Sequence, residues 1–265
     1  MEMKEKQMME FNDQMGNLIR LAGPPRRIIS LVPSLTELLF DLGLEEQIVG
    51  VTDYCWAPPD KIGRAAKIGG PKKFDFNVIR GLDPDLAIGD KEENYKDGVL
   101  QLRESTPVWL SDVRSLEDAL EMIEGVGELV DRFENARQLV DEIRTNFERL
   151  PPLPFLRTAY LVWKEPFLAA GGDCFINDML LRCGFKNIFQ DRPRYPEVSL
   201  DEIREAELIL LPCEPCDFQP EDIKLLSREC PAARILEVDG TMFCWYGSRL
   251  KAAPGYYQSL RERLA

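Results

Sequence analysis

Arg27-Ile28-Ile29-Ser30-Leu31-Val32-Pro33-Ser34-Leu35-Thr36-Glu37-Leu38-Leu39-Phe40-Asp41-Leu42-Gly43-Leu44 reads as a strand, a turn and a helix closed by glycine. Ile28 to Val32 is a short apolar run rich in β-branched residues, suited to a strand buried on both faces of a parallel sheet. Pro33-Ser34 breaks it. Ser34 is placed to cap the helix, with Glu37 three residues on completing a capping box, and Gly43 ends it. The pattern returns in the second half of the chain. Tyr160-Leu161-Val162-Trp163 leads through Gly171-Gly172-Asp173 to Cys174-Phe175-Ile176-Asn177-Asp178-Met179-Leu180-Leu181-Arg182-Cys183-Gly184-Phe185. Each copy is followed by a helix that runs into a buried strand, Ile79 to Ile88 and Ile203 to Leu211. A repeated α/β pattern of this kind implies two similar lobes, and a cleft between them that binds something.

Working outward, Ile48 to Val51 reads as the next strand, Phe76 to Leu82 as a helix, Asp85 to Ile88 and Val108 to Leu110 as strands. Strands alternating with helices at this spacing mean right-handed βαβ units and a parallel sheet. Ser115-Leu116-Glu117-Asp118 opens a further helix with a capping-box pattern, weakened near its end by Gly125 and Gly127. From about Asp131 to Leu150, Phe133, Ala136, Val140, Ile143 and Phe147 fall three or four apart, giving one apolar face. Pro151-Pro152-Leu153-Pro154 stops that helix. The expected architecture is α/β: two lobes, each a parallel sheet flanked by helices, joined by one long connecting helix. The expected boundaries are an N-terminal lead at 1–25, a first lobe at 26–130, the connecting helix at 131–150 and a second lobe at 151–265.

Composition removes several classes of function. A formal net charge of −13 disfavours a nucleic-acid or anionic-membrane surface, because phosphates would repel it. No run of eighteen apolar residues is present, so no membrane insertion is expected. The N-terminal Met1 to Glu10 lacks the apolar run of a secretory signal, and seven cysteines without framework spacing suit a reducing compartment. A cytoplasmic location is therefore the expectation as the chain is written. Histidine is absent, which excludes His-based acid–base catalysis and every metal site that needs imidazole. No phosphate loop and no catalytically spaced carboxylate pair stands out, so an enzyme is not expected.

In open parallel sheets, ligands gather at the carboxyl ends of the strands. The loops there hold Ser34, Asp53 to Trp56, Asp90 to Asn94, Trp163 to Phe167, Gly171 to Cys174, Cys213 to Cys216 and Phe243 to Arg249. They are rich in aromatics, with Lys91, Arg194 and Arg249 beside several acids. Such a set suits a flat organic or metal-complex ligand better than a bare ion. Trp245-Tyr246 either stack on a ligand or cap a core. Gly171-Gly172 either cradle an anion or serve, with Asp173, to cap the following helix. Cys213-x-x-Cys216 has the spacing of a redox or metal half-site, but no second CxxC and no histidine is available to complete a zinc tetrahedron.

The segments Arg27 to Leu39, Val49 to Cys55 and Leu82 to Leu86 resemble the first lobe of the cobalamin and ferric-siderophore substrate-binding proteins of ABC importers. Pro166-Phe167, Gly171 to Phe189 and Tyr195-Pro196-Glu197-Val198-Ser199 resemble the second. The resemblance runs from about Asp13 to the C-terminus. Lys91 to Asn94, Gly171 to Asp173 and Phe243 to Arg249 are further similar to a branch of that helical-backbone family without a secretion signal. The resemblance implies two α/β lobes on one rigid helix, a ligand held between them, no intrinsic cofactor, and an ABC permease as partner. The family is usually periplasmic or exposed on the cell surface.

Tyr54 matches one aromatic of the cobalamin receptors, whereas their neighbouring tryptophan positions fall near Gly70 or Pro71 and at Asp90. Asp201 matches the acid with which the second lobe docks on its permease, and the first-lobe counterpart falls at Asn77. The leading expectation is a monomeric, non-enzymatic binding protein for a small metal complex: cobalamin or another corrinoid, a ferric siderophore, or haem. Tyr54, Trp56, Trp163, Tyr195, Phe243, Trp245 and Tyr246 would supply apolar walls, with Lys91, Glu92 and Arg249 meeting polar groups. The alternative is a cytosolic metal-trafficking or thiol-redox protein using Cys213 and Cys216.

Overall fold

The computed structural model describes residues 8–151 and 155–264. The chain divides into two compact units. Unit 1 takes residues up to 112 and 118–141, and unit 2 takes 113–117 and 142 onward.

Unit 1 begins with an antiparallel hairpin, β1 (Met9–Asn12) and β2 (Leu18–Leu21). The sequence reading gave 1–25 only as an N-terminal lead and assigned no strands within it. Its turn is an Asx turn: the buried Asp13 carboxylate accepts from the backbone N–H of Met15 (3.0 Å) and of Asn17 (2.7 Å). Gly16 takes the left-handed conformation, φ 78°, that glycine adopts without penalty.

Then come β3 (Ile28–Ser30), α1 (Pro33–Asp41), β4 (Ile48–Val51), the short strands β5 (Ala66–Lys67), β6 (Gly69–Gly70) and β7 (Lys73–Phe74), and α2 (Phe76–Leu82). After these follow β8 (Leu86–Asp90), α3 (Lys96–Leu102) and β9 (Val108–Ser111). The sheet order is β5-β4-β3-β8-β9, all parallel. β3 and β8 are buried along their whole length, as strands covered by helices on both faces must be. Ile29, Leu31, Ala87, Val108 and Leu110 meet Ile79, Val99 and Leu102 in one core.

Two helices bridge the numbering of the units: α4 (Leu116–Leu129) and α5 (Phe133–Glu148). Gly125 and Gly127 do not interrupt α4, and at Gly127 a side chain has no room: a Cβ there would lie 2.3 Å from that of Ala136. The buried stripe of α5 is Ala136, Leu139, Val140, Ile143 and Phe147, while Phe133, expected on it, is exposed at the first position. At 16 residues α5 is about 24 Å long, shorter than the 131–150 reading. Of the prolines expected to stop it, Pro151 follows the end of α5 after two further residues, Arg149 and Leu150, and residues 152–154 lie outside the described residues.

Unit 2 continues with β10 (Leu156–Trp163), β11 (Leu168–Ala169), α6 (Phe175–Arg182), β12 (Phe185–Asn187), α7 (Leu200–Ile203), β13 (Leu208–Pro212), α8 (Pro220–Glu229), β14 (Arg234–Val238), α9 (Thr241–Cys244) and α10 (Ala253–Glu262). β12, β10, β13 and β14 form a parallel ladder, with β11 pairing antiparallel to the end of β10. Its core gathers Ala159, Leu161, Ile203, Ile209, Leu211 and Leu226.

The repeat seen in the sequence is thus a repeat of topology. In each unit the first strand of the pattern, β3 or β10, sits inside the sheet. The next pattern strand, β4 or β12, pairs on one side, and β8 or β13 pairs on the other. The direction of winding reverses at β3/β8 in unit 1 and at β10/β13 in unit 2, and a crevice opens beyond the carboxyl ends at such a reversal.

Candidate functional site

In unit 1 the crevice is bounded by the start of α1 and by the loop after β8. The capping expected of Ser34 and Glu37 is not what forms. The N-cap is Val32, with no side-chain cap, and Pro33 occupies the first turn, where its missing N–H needs no partner. Ser34 is buried. Thr36 instead ties this corner together, its hydroxyl 2.7 Å from Ser30 Oγ, 2.9 Å from the Val32 carbonyl and 3.1 Å from Cys55 Sγ. Burial pushes the Cys55 thiol above its ordinary range, against the pull of Thr36, Thr52 and Lys67, so it stays a protonated packing group.

Lys67 Nζ donates to the carbonyls of Thr52 (3.1 Å) and Cys55 (2.8 Å), pinning the turn after β4. Tyr54 and Trp56 stand out from that pinned turn, 67% and 47% exposed. The Tyr54 ring lies against Gly70: a Cβ there would sit 3.2 Å from Tyr54 Cε2. A bulky residue in place of Gly70 would therefore displace the tyrosine.

The loop after β8 is fixed from beneath. Asp90, almost fully buried, accepts from the N–H groups of Glu92 (2.8 Å) and Glu93 (3.0 Å) and from the Ser111 hydroxyl (2.7 Å). Asn94, also buried, accepts from the Asp90 N–H (2.9 Å) and donates to the carbonyls of Leu31 (3.1 Å) and Pro71 (3.3 Å). One amide thus joins β8, the approach to α1 and the segment Gly70-Pro71 against which the Tyr54 ring lies. Lys91 pairs with Asp112 at 2.7 Å, and Lys72 donates to the Glu92 carbonyl at 2.6 Å. Glu93 is exposed as a residue; partial desolvation of its carboxyl, with the charges of Asp90 and Glu92 alongside, raises it above the ordinary glutamate range.

Unit 2 builds its edge by the same means. Asn187, fully buried, donates to the carbonyls of Ala170 (2.9 Å) and Gly171 (3.3 Å) and to Asn177 Oδ1 (3.1 Å), and accepts from Phe189 N–H (3.0 Å). Gly171 and Gly172 do not cradle an anion. Their N–H groups donate to the carbonyls of Arg194 and Arg192, both at 2.8 Å. A Cβ on Gly172 would meet the Gln190 carbonyl at 1.8 Å. The capping expected of Asp173 is absent as well: Cys174 is the N-cap of α6, and Asp173 accepts from the Arg194 N–H. Ser199 does cap α7, in a full capping box with Glu202.

Trp163, at the end of β10, and Tyr195, on the loop after β12, are about half and a third exposed. Phe243 does not line a wall. It is fully buried, with ring centroids 5.0 Å from Tyr257 and 5.4 Å from Tyr160, because α9 turns it into the aromatic core. Trp245 and Tyr246 are also buried; Tyr246 meets Phe175 edge-on at 5.7 Å. The Arg249 guanidinium lies 4.6 Å over the Trp245 ring and donates to Thr241 Oγ1 at 3.1 Å. Thr241 in turn donates to Asp239, Oγ1 to Oδ1 at 2.6 Å. The turn 213–216 packs on this group, since a Cβ on Gly240 would meet the Glu214 carbonyl at 2.5 Å.

Cys213 is exposed and Cys216 buried, and burial raises the Cys216 thiol. Among the described residues no group of three or more cysteines or carboxylates is placed to hold a metal ion. Asp201 is exposed on α7 and pairs with Arg204; Asn77 accepts from Arg80 on α2.

The sequence reading named Asn94 only as part of the charged loop and gave no fastening role to it or to Asn187, Thr241 and Asp239, whose hydrogen bonds hold these loops; of the aromatics it named, Tyr54, Trp56, Trp163 and Tyr195 are exposed and Phe243, Trp245 and Tyr246 are buried. A lone asparagine after a strand carries no spacing signal of its own.

A protein-family model described as periplasmic binding protein matches residues 28–225. The chain is 25% identical over 189 residues to a vitamin B12-binding protein of Vibrio cholerae, covering 68% of this chain and 67% of that one. Its fold superposes with TM-score 0.76 on a possible iron-binding periplasmic solute-binding protein of Staphylococcus epidermidis, at 25% identity over 91% of this chain and 99% of the other. A periplasmic heme-binding protein of Vibrio cholerae superposes with TM-score 0.74 at 19% identity, over 90% and 98% of the two chains. The α/β fold of two sheet units with a helical backbone, read first from a repeated strand and helix, is the fold of these neighbours. With the match spanning most of its length, this chain belongs to the periplasmic binding protein family, whose members bind solutes and are not enzymes.

Proposed function

We propose that this solute-binding protein takes a small metal complex, a corrinoid, a ferric siderophore or haem, and presents it to an ABC-type permease. The observation that carries the reading is the pair Tyr54 and Trp56. Two large aromatics stand exposed on a turn that Lys67, Thr36 and Thr52 hold still, at the carboxyl edge where such sheets take ligands. Aromatic faces exposed on a pinned loop are costly unless something covers them in use, and they make contact with little loss of side-chain freedom. Trp163 and Tyr195 are the equivalent exposed aromatics of unit 2, with Lys91, Glu92 and Arg249 as polar contacts and Asp201 as the permease contact on α7. The relatives' names, vitamin B12-binding and heme-binding, support a flat metal complex as the solute. The chain acts as a monomer in this reading, and among the described residues no helix is long and apolar enough to cross a membrane.

Among the described residues Cys213 and Cys216 stand in no group of three or more metal-ligating side chains, and nothing in the structure favours the thiol-redox and metal-trafficking alternative.

Equilibrium titration of the four tryptophans' fluorescence with cyanocobalamin, haemin and ferric hydroxamates tests the reading. Saturable binding in the micromolar range is expected for at least one. Replacing Tyr54 and Trp56 by alanine should weaken it by about ten-fold or more, as truncated aromatic anchors do, with the melting temperature unchanged. Trp245→Ala should instead destabilise the fold by about 3 kcal/mol, because that ring is buried. Absence of saturable binding to all of these complexes would end the proposal.

A further inference from the structure

The turn after β4 presents two side chains and buries the one between them. Tyr54 and Trp56 are 67% and 47% exposed, whereas Cys55 is 2% exposed. That alternation holds only while the middle residue stays anchored. Its thiol is one anchor, with the Thr36 and Thr52 hydroxyls each 3.1 Å from Sγ. Sulfur is a weak hydrogen-bonding group, and these contacts fix a side chain rather than the backbone on either side of it. The backbone is held from elsewhere. Asp53 N–H donates to the Gly69 carbonyl at 3.0 Å, and Cys55 N–H to the Thr52 carbonyl at 3.1 Å. The carbonyls of Thr52 and Cys55 both accept from Lys67 Nζ, at 3.1 and 2.8 Å.

Lys67 reaches them because of register. It stands on β5, the end strand of the sheet, opposite Val51, the last residue of β4. Its side chain therefore starts level with the point at which the turn begins. An ammonium carries three donors and no acceptor, and a charged donor makes a stronger hydrogen bond than a neutral one. Here two of its bonds close on carbonyls three residues apart, one at each end of the turn. One side chain thus sets the width of the turn, and with it the directions in which the two rings leave the backbone.

Resting on the metal-complex reading above, we infer that Lys67 is a positioning residue for the Tyr54 and Trp56 pair, acting on the solute through the two rings and not by its own charge. A clamp of this kind raises affinity by removing beforehand the freedom that binding would otherwise have to take away. Its effect is the same for a neutral solute as for a charged one.

The test uses Lys67→Met, which keeps the aliphatic stem and removes the ammonium. In protein labelled with 5-fluorotryptophan, the fluorine resonance of Trp56 is assigned by Trp56→Phe. In Lys67→Met that resonance alone should sharpen and move toward its position in the unfolded chain, while those of Trp109, Trp163 and Trp245 stay where they are. Titrations with cyanocobalamin, haemin and a ferric trihydroxamate follow. Each complex that the wild type takes, neutral or charged, should bind about ten-fold more weakly, the cost of ordering one or two side chains on binding. Lys67→Arg, which keeps a cation and its donors, should restore most of both effects. An unmoved Trp56 resonance, a disturbance shared by all four tryptophans, or a weakening confined to anionic complexes would overturn the inference and leave the metal-complex reading intact. A wild type that binds none of the three complexes would bring down that reading, and the inference with it.

Discussion

At the carboxyl edge of unit 1, Asn94 bonds the Leu31 and Pro71 carbonyls and the Asp90 N–H; at that of unit 2, Asn187 bonds the Ala170 and Gly171 carbonyls and the Phe189 N–H. The fastening is the same, one buried amide spending donors and acceptor on backbone groups of neighbouring loops. The finish differs. Unit 1 projects Tyr54 and Trp56 from its pinned turn, whereas unit 2 folds Phe243, Trp245 and Tyr246 inward and leaves Arg249, Asp239 and Glu214 partly open. Duplicated topology therefore fixes where the loops begin and what must hold them, and leaves free which side chains they offer.

The largest expected effect comes from the glycines at the two edges. Gly172→Ala puts a Cβ against the Gln190 carbonyl, a backbone group that cannot swing aside, and should lower stability by about 3 kcal/mol or more, measured by urea unfolding. Gly89→Ala in unit 1 meets Asn94 Oδ1 at 2.4 Å and Leu31 Cδ1 at 3.0 Å, which are side chains. Its cost should be smaller, and its mark is loss of order in the loop 91–94 by hydrogen exchange. Equal costs would break the contrast.

Next in size are the asparagines. Asn187→Leu leaves two buried carbonyls and a buried N–H without their side-chain partner and should cost about 2–3 kcal/mol, while Asn94→Leu should cost about as much and also weaken solute binding by releasing the support of Tyr54. Calorimetry on both variants, with solute titration, separates the two edges. Weakened binding without lost stability in Asn94→Leu would contradict the fastening role.

The smallest effect is acid sensitivity confined to unit 2. The backbone N–H and hydroxyl of Ser199 and the Arg192 guanidinium hold Glu202 down, from the ordinary 4.5 to about 2. A carboxyl depressed by folding contributes stability that is present above its unfolded value and lost as the pH falls toward the folded one. Glu202→Gln should therefore flatten the stability curve between pH 4.5 and about 2, its loss of stability present at neutral pH and vanishing toward pH 2. A wild-type slope in the variant would assign the acid response elsewhere.

The sequence made the architecture plain because buried parallel strands are apolar runs and Gly43 and Gly184, both with positive φ, mark where the helices end. It also pointed to Tyr54, Trp56 and the loop 90–94, since these aromatics and charges fall in loops at the strand ends. It misjudged Phe243 because composition cannot tell a loop aromatic turned inward from one turned outward; the short helix α9 decides that. It also misread Ser34, where a proline start satisfied the helix terminus and the serine was simply buried. The hairpin at 9–21 escaped because its two strands are only four residues long and half exposed.

That hairpin has a bearing on how the molecule avoids its own kind. β9 is the last strand of the unit 1 sheet, and an open strand margin is a template for another chain. The hairpin turn sits on it: Gln14 N–H bonds the Leu110 carbonyl, Gln14 Oε1 accepts from Asp112 N–H, and Trp109 Nε1 donates to the Asn12 carbonyl. A few residues ahead of the first parallel strand thus occupy, with their own hydrogen bonds, part of the margin on which another strand would pair.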